Sequence, residues 1–413
     1  MVDMHPRLKQ LPPGAAALGL LIPLAACEAG GEDNAITFMA AEYSPETQPY
    51  WENLIEEFED ANPEHTVELQ VVNWNDIDQE ITTRIQTGEQ PDILNLNKFA
   101  EYALDDLLVP AENAVSPEVL DDFDAGFAEA ASYEGTQYGL PFIASTRLLF
   151  YNEELFGEAG VEEPPEDWDE LRAAAESIDD LDDDSIGYGL PLGPEEAQAE
   201  FLMWIAGNNG TLHDGDAWEI NSPENTETLE FLTEIVDDGL TQPNPGGTDR
   251  TDLFNVFAQG EIGMLNGAVF LPGMIEEQNP DLDYEVAEIP LADAEDPPMT
   301  LGVQDFLMAF DNGNDETVNL FLDFFYQEDN YSEFLELEGF LPATEATADH
   351  MTDDPLMEPF IESLPTSEFY PTEQPAWTTV DGALKEEVGA GVQDNDPQEV
   401  LDEIQRRAEE ASD

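Results

Sequence analysis

The chain has 413 residues, enough for two lobes or domains with cores of their own. It carries 96 acidic residues against 10 basic ones, a formal net charge of -86, which excludes nucleic-acid recognition through a basic face. The acids are spread along the whole length over persistent apolar periodicity, and the hydrophobic fraction of 41% is ordinary, so they read as a solvated surface rather than disorder. Such a surface repels itself at low ionic strength and suits concentrated salt.

The N-terminal segment places His5, Arg7 and Lys9 before the apolar run Ala15 to Ala26. A basic region followed by a short apolar one is a signal-peptide pattern, too short to span a bilayer. It closes on Leu24-Ala25-Ala26-Cys27, which resembles a lipoprotein processing box; such boxes place the cysteine, here the single Cys27, at a new N-terminus that carries lipid. Plain secretion with an incidental buried cysteine is the alternative. Residues 1–27 are thus expected to be a lipoprotein signal peptide ending at the anchor residue, and 28–34 a small polar tether. No other stretch is long and apolar enough to cross a membrane.

Ile36 to Ala40 reads as a first strand. Tyr50 to Ala61 carries Trp51, Leu54, Ile55 and Phe58 at helical spacing and ends at Asn62-Pro63. Val67 to Val72 alternates as a half-buried strand, Asp76 to Gln86 forms a second helix, and Pro91 to Leu94 starts a third strand. This order predicts parallel pairing in an α/β layer. Leu148 to Tyr151 is a buried strand, with Asn152 opening a short acidic helix. Pro164-Pro165 breaks the chain before a helix starting at Asp167-Trp168. Ala197 to Ala206 and Thr226 to Asp238 are further helices, the second closed by Gly239. Phe306 to Phe310 is a strand, Glu316 to Leu337 one helical region, and Thr378 to Val388 and a segment opened by Pro397 are the last helices.

Several of these stretches carry a resemblance. Gly135, Tyr138, Gly139, Pro141, Tyr151, Asn152, Leu155, Phe156, Ala159, Gly160, Val161, Pro164, Pro165, Trp168 and Glu170 form one gapless pattern. It resembles the first hinge of the extracellular solute-binding proteins of ABC importers, the family of maltose- and multiple-sugar-binding proteins. Phe257, Gly260, Gly263 and Met264 match a later stretch of that family in kind, and Gly339 and Pro342 another. Two positions depart from it: Asp167 stands where Thr is usual, and Val269 where relatives commonly carry Trp. The resemblance runs from about Ile36 to the end. It implies an α/β, two-lobed periplasmic-binding-protein-like fold of type II, each lobe a mixed sheet flanked by helices, with three hinge crossings. The lobes would be 35–146 with 303–340, and 147–302 with 341–413.

Ligands of open α/β sheets bind beyond strand ends. That rule picks out Glu42 and Tyr43 after the first strand, Trp74 after the second, and Asn95 and Asn97 after the third. It also picks Ser145 and Arg147 at the first hinge, and Gln304 and Asp305 at the second. The resemblance implies that Ser145 occupies a ligand-carboxylate position, that Trp377 is a sugar-stacking residue, and that Phe270 takes over part of the role of the Trp replaced by Val269. Each has a structural alternative: Trp377 as core, Trp74 packed on its own helix, the asparagines as turn residues, Arg147 as a structural ion pair. Trp51 and Trp168 read as core, and Trp204 stays open.

The search for covalent chemistry finds no nucleophile elbow, no phosphate loop and only four scattered histidines. Asp180, Asp182 and Asp184 have calcium-loop spacing, but Ser185 stands where Gly is needed and Pro191 where the closing Glu belongs. No metal or cofactor is expected. Carboxylate pairs are everywhere, so a secreted glycosidase stays open on residue type alone. The resemblance implies a monomeric, lipid-anchored protein outside the cell membrane that captures a neutral mono- or oligosaccharide. It would deliver this sugar to a membrane permease driven by an ATPase. The scarcity of Lys and Arg argues against a multiply charged anion. A zwitterionic osmolyte held by aromatics and carboxylates is the other solute class, and a receptor signalling to a membrane kinase is the other use of the fold.

Overall fold

The computed structural model describes residues 34–181, 185–351, 356–393 and 395–412. The signal segment, Cys27, most of the tether and the middle of the acidic turn lie outside the described residues.

Ten strands carry the described architecture: β1 (Ala35–Ala41), β2 (Thr66–Val72), β3 (Ile93–Leu96), β4 (Leu140–Ser145), β5 (Arg147–Asn152), β6 (Ile186–Gly189), β7 (Ile262–Ala268), β8 (Tyr284–Ala287), β9 (Thr300–Ala309) and β10 (Ser367–Phe369). One sheet runs β10-β9-β3-β1-β2, with β4 also paired to β9. Its β1 is parallel to both β2 and β3, as the strand–helix alternation predicts, while β9 enters antiparallel to β3 and β4. The other sheet runs β8-β5-β7-β6. The helices that bear on the site are α1 (Thr47–Ala61), α2 (Trp74–Thr87), α3 (Ala100–Leu104), α4 (Trp168–Asp179), α5 (Ala197–Ala206), α6 (Arg250–Ala258), α7 (Glu328–Glu338), α8 (Trp377–Gly391) and α9 (Pro397–Ser412).

The chain changes sheets at Thr146, between β4 and β5. Strand β9 is the second link. Val303 to Leu307 lie opposite β4, and Thr300 to Gly302 opposite β10. At the crossing, the Arg147 N–H donates to Thr300 Oγ1 (3.0 Å), whose hydroxyl donates to Arg147 O (2.6 Å). The two links are thereby tied to each other.

Local sequence explains the elements. The buried run Leu148-Leu149-Phe150 puts β5 between β8 and β7, covered on both faces. Asn152 then caps the next helix, its Oδ1 accepting from the Glu154 and Leu155 N–H groups. Gly160 ends that helix at φ +73°, a left-handed conformation that glycine adopts without strain. Asp167 caps α4 through the Glu170 N–H at 2.8 Å. Trp51 is fully buried against Phe38, Phe325 and Phe334, and Trp168 stacks on Phe231 at 4.5 Å, so both are core.

Two local readings change. The helical region expected over Glu316 to Leu337 is two helices, Asp315–Phe325 and α7, because Gln327 is extended. The Tyr326 hydroxyl donates to Pro141 O and the Asn330 amide to Phe324 O, which holds the break. Asn95, expected in the loop after the third strand, lies within β3 and is wholly buried.

Candidate functional site

The polar groups converge where the strands of the two sheets end against each other. On the six-stranded side, Asn95 accepts the Ala41 N–H (3.1 Å) and gives its own amide to the Tyr43 hydroxyl (3.2 Å). Tyr43 in turn donates to Asp305 Oδ2 at 2.5 Å. Its ring meets Trp74 at 5.7 Å and Phe340 at 5.1 Å, both edge-on. Glu42 is exposed at the rim, where it accepts from the Asn73 amide. Asn97 is half-buried just past β3.

At the sheet change, the Arg147 guanidinium donates to Ser145 Oγ (2.6 Å) and to Glu196 Oε1 (2.8 Å). Arg250, at the start of α6, reaches the other oxygen of Glu196 (2.8 Å) and Glu195 Oε1 (2.6 Å). One carboxylate at the N-terminus of α5 therefore joins two arginines. The Arg250 guanidinium also lies over the Phe270 ring, 5.1 Å from its centroid. Phe270 meets Phe340 of the opposite sheet's side at 5.9 Å. Deeper in, Glu200 Oε1 accepts from the Tyr188 hydroxyl (2.8 Å), the Trp204 indole (2.7 Å) and the Asn266 amide (3.5 Å). A narrow cavity runs between Arg147, Glu196, Glu200, Arg250, Phe254 and Asn266.

The third group forms around α8, which packs on α5 and α9. Trp377 is buried and stacked on Tyr370, with centroids 5.3 Å apart and planes 24° from parallel. One turn on, Asp381 accepts from Lys385 (3.3 Å) and from Lys98 (3.5 Å), which comes from the loop after β3. Lys98 also holds Asp78 at 3.0 Å, and the Thr378 hydroxyl donates to Glu101 Oε1 at 2.8 Å. These contacts join α8 directly to the six-stranded side. Gln304 faces away from Asp305, as neighbours in a strand do. Its amide N–H donates a hydrogen bond to Phe127 O (3.1 Å), and its carbonyl oxygen is buried with no partner among the described residues.

Electrostatics bind the three groups into one. Burial opposes ionisation of Glu196, but Arg250 and Arg147 outweigh it and hold the carboxyl below its usual range. Burial likewise opposes charge on Asp381, and Lys385 and Lys98 overcome it. Asp305 is different: burial pushes it up to about 7, against the Tyr43 hydrogen bond and with help from the charge on Glu196. Glu200 is also pushed up to about 7 by burial, despite its donors. Both acids keep a proton in the folded chain that the unfolded chain has released by about pH 5. Their stabilising contribution is complete below the ordinary carboxylate range and is lost as pH rises through about 7. The melting temperature is therefore expected to fall between about pH 4 and pH 7, and Asp305→Asn to flatten that fall. An equal slope in the variant would remove Asp305 as its source.

Of the residues expected from sequence, the structure brings Tyr43, Asn95, Ser145, Arg147 and Asp305 together. Trp74 and Phe270 stand beside them, Trp377 is one group over, Glu42 and Asn97 are peripheral, and Gln304 points elsewhere. Glu195, Glu196, Glu200, Arg250, Lys98, Asp381, Lys385 and Tyr370 were not expected. One available signal was the scarcity of cations. The sequence holds three lysines, and the two that are described both meet Asp381.

Residues 43–331 match the family described as bacterial extracellular solute-binding protein. A protein of Brucella abortus named only as a binding protein is 34% identical over 88% of this chain and 89% of its own length. The diacetylchitobiose-binding protein DasA of Streptomyces coelicolor is 22% identical over 88% of each chain. Among solved structures, an ABC-transporter solute-binding protein of Thermotoga lettingae, bound to α-D-tagatose, superposes with a TM-score of 0.81. That match covers 92% of this chain and all of the other at 23% identity, which establishes the two-lobed fold.

Proposed function

Because the chain belongs to the bacterial extracellular solute-binding protein family, we propose that it is the substrate-binding component of an ABC importer that captures a neutral mono- or oligosaccharide between its lobes. The observation that carries this reading is the convergence of hydroxyl-binding groups beside aromatic rings where the two sheets meet. Asp305, Tyr43, Asn95, Ser145 and Arg147 converge there beside Trp74, Phe270 and Phe340. Carboxylates and amides pair with sugar hydroxyls, and rings cover the C–H faces. The lobes are taken as 35–146 with 303–340 and 147–302 with 341–413. Closure turns on Thr146 and β9, and is driven by contacts that a ligand makes to both sides. The protein works as a monomer, performs no covalent step, and hands the sugar to a membrane permease.

Thermal shift of the purified protein in high salt, against sugars, osmolytes and peptides, tests this. A ligand that binds only the folded state stabilises it by mass action, by about 2.7 kcal/mol at a hundredfold excess over Kd, and so raises the melting temperature. A shift confined to sugars is expected. Silence from sugars with a shift from a betaine or a peptide would overturn the solute class while leaving the family intact.

Among the described residues no helix is long and apolar enough to cross a membrane. We assign membrane attachment to a lipid on Cys27, supported by the apolar run and Leu-Ala-Ala-Cys box that precede it. Cys27→Ser is expected to release the protein into the medium, and full membrane retention of that variant would count against the anchor.

A further inference from the structure

Asp381 is held in an unusual way for this chain. Its side chain and that of Lys98 are almost wholly buried, and both Lys98 and Lys385 approach the same oxygen, Oδ2. The other oxygen, Oδ1, is buried with no partner among the described residues. So is the hydroxyl of Tyr370, whose ring stacks on Trp377 one helical turn before Asp381. A buried carboxylate oxygen without a donor is costly, and native interiors rarely leave one. Each of the four cations of this region, by contrast, already faces carboxylates: Lys98, Lys385, Arg147 and Arg250. Both lysines beside Asp381 approach Oδ2, so Oδ1 is left to a donor from outside, which a polyol hydroxyl supplies and an ionised acid group does not.

We propose that Asp381 is a specificity-determining residue of the cleft: its free oxygen accepts a hydroxyl of a neutral sugar, with Lys98 and Lys385 as positioning residues, and its charge excludes anionic ligands. This rests on the carbohydrate reading above. Lys98 comes from the six-stranded side and Asp381 from α8, so the acceptor is fully set only when the two sides meet. The exclusion of anions is a local matter. An incoming phosphate or carboxylate would lie against Asp381 with the charge of Glu196 in the same field, both lysines being already engaged. A purely structural interlobe ion pair is the competing account, and it predicts no change in which ligand charge is accepted.

The test uses the purified protein in molar KCl, titrated calorimetrically with glucose, galactose, mannose and maltose as neutral probes. Inorganic phosphate and sn-glycerol 3-phosphate are the anionic ones. The wild type is expected to bind at least one neutral probe and neither anion. Asp381→Asn should weaken the neutral probe by about tenfold to a hundredfold, the usual penalty for losing a charged acceptor. It should also begin to bind an anionic probe, because two buried lysines lose their shared partner. Lys385→Met, read alongside, should weaken the neutral probe severalfold without gaining the anion. If Asp381→Asn alone does not fold, the double change Asp381→Asn with Lys385→Met, which leaves Lys98 its partner Asp78, is read for the same two effects, and a folded Asp381→Asn protein that gains no anionic probe overturns the assignment in favour of a structural ion pair. Neutral binding unchanged in either folded variant, or anion binding by the wild type, overturns the assignment while leaving the carbohydrate reading standing. No binding of any neutral probe by the wild type overturns both.

Discussion

Arg147→Ala is expected to destabilise the fold by about 3–5 kcal/mol and to abolish measurable sugar binding, a larger effect than any other single substitution at the site. Arg147 is 3% exposed, and its guanidinium is engaged by Ser145, the Thr146 carbonyl and Glu196 at the point where the chain changes sheets. Removing it leaves Glu196 with one arginine instead of two, in a site where burial already opposes its charge. It also leaves a hole beside β9, the other link between the sheets. Arg147→Lys keeps the charge but not the two-pronged geometry, and should fall between wild type and Ala. The cost belongs to the uncompensated partner, so Arg147→Met combined with Glu196→Leu should cost much less than the two single changes added together. Chemical unfolding of the four proteins in high salt measures this. A single-mutant cost within about 1 kcal/mol would mean that the pair behaves like an exposed one, and the account of the hinge would fail.

Most of the scaffold could be read because its signals are local. Asn152 and Asp167 cap helices where apolar periodicity says helices start, and β5 is an uninterrupted apolar run. The sheet change at Thr146 falls within the stretch that carries the family resemblance. The site was harder for a reason peculiar to this composition. With 96 acids in 413 residues, Glu196, Glu200 and Asp381 look like every other surface carboxylate. Nothing local marks them as buried, because their partners are distant in sequence: Lys98 for Asp381, Arg147 and Arg250 for Glu196. Cations carry the information instead. Arg147 has no acid within four residues on either side, in IASTRLLFY, so its partner had to come from elsewhere in the fold. Asn95 was misplaced because an asparagine at a strand's end reads as a turn, whereas its amide here substitutes for a missing backbone partner at Ala41. Trp377 shows a different limit. Its stacking on Tyr370 satisfies the core reading and the ligand reading equally, and only a variant with a binding readout separates them.

The second large effect expected is of salt: raising KCl from about 0.01 M to about 1 M should raise the melting temperature by on the order of 10 °C or more. The formal charge is -86, and four of the ten cations are spent on the interior carboxylates, so the outer surface is almost single-signed. Like-charged neighbours on a helix cost a few tenths of a kcal/mol each, and tens of such pairs amount to a sizeable share of a domain's stability. The Debye length contracts from about 30 Å to about 3 Å over that range, which removes nearly all repulsion beyond nearest neighbours. Screening makes two further demands. NaCl and KCl should act alike and level off near molar concentration, whereas sulfate stabilisation through exclusion from apolar surface continues to rise. The pairs at Asp381 and Glu196 are buried and little screened, so sugar affinity should change far less with salt than stability does. A flat melting temperature would falsify the reading of the acids as a high-salt surface. A rise that tracked sulfate but not chloride would assign the stabilisation to the core rather than to the charge. The inner cations serve a separate purpose from the outer acids. They are paired in largely buried positions, so the expected salt dependence belongs to the surface and not to the cleft.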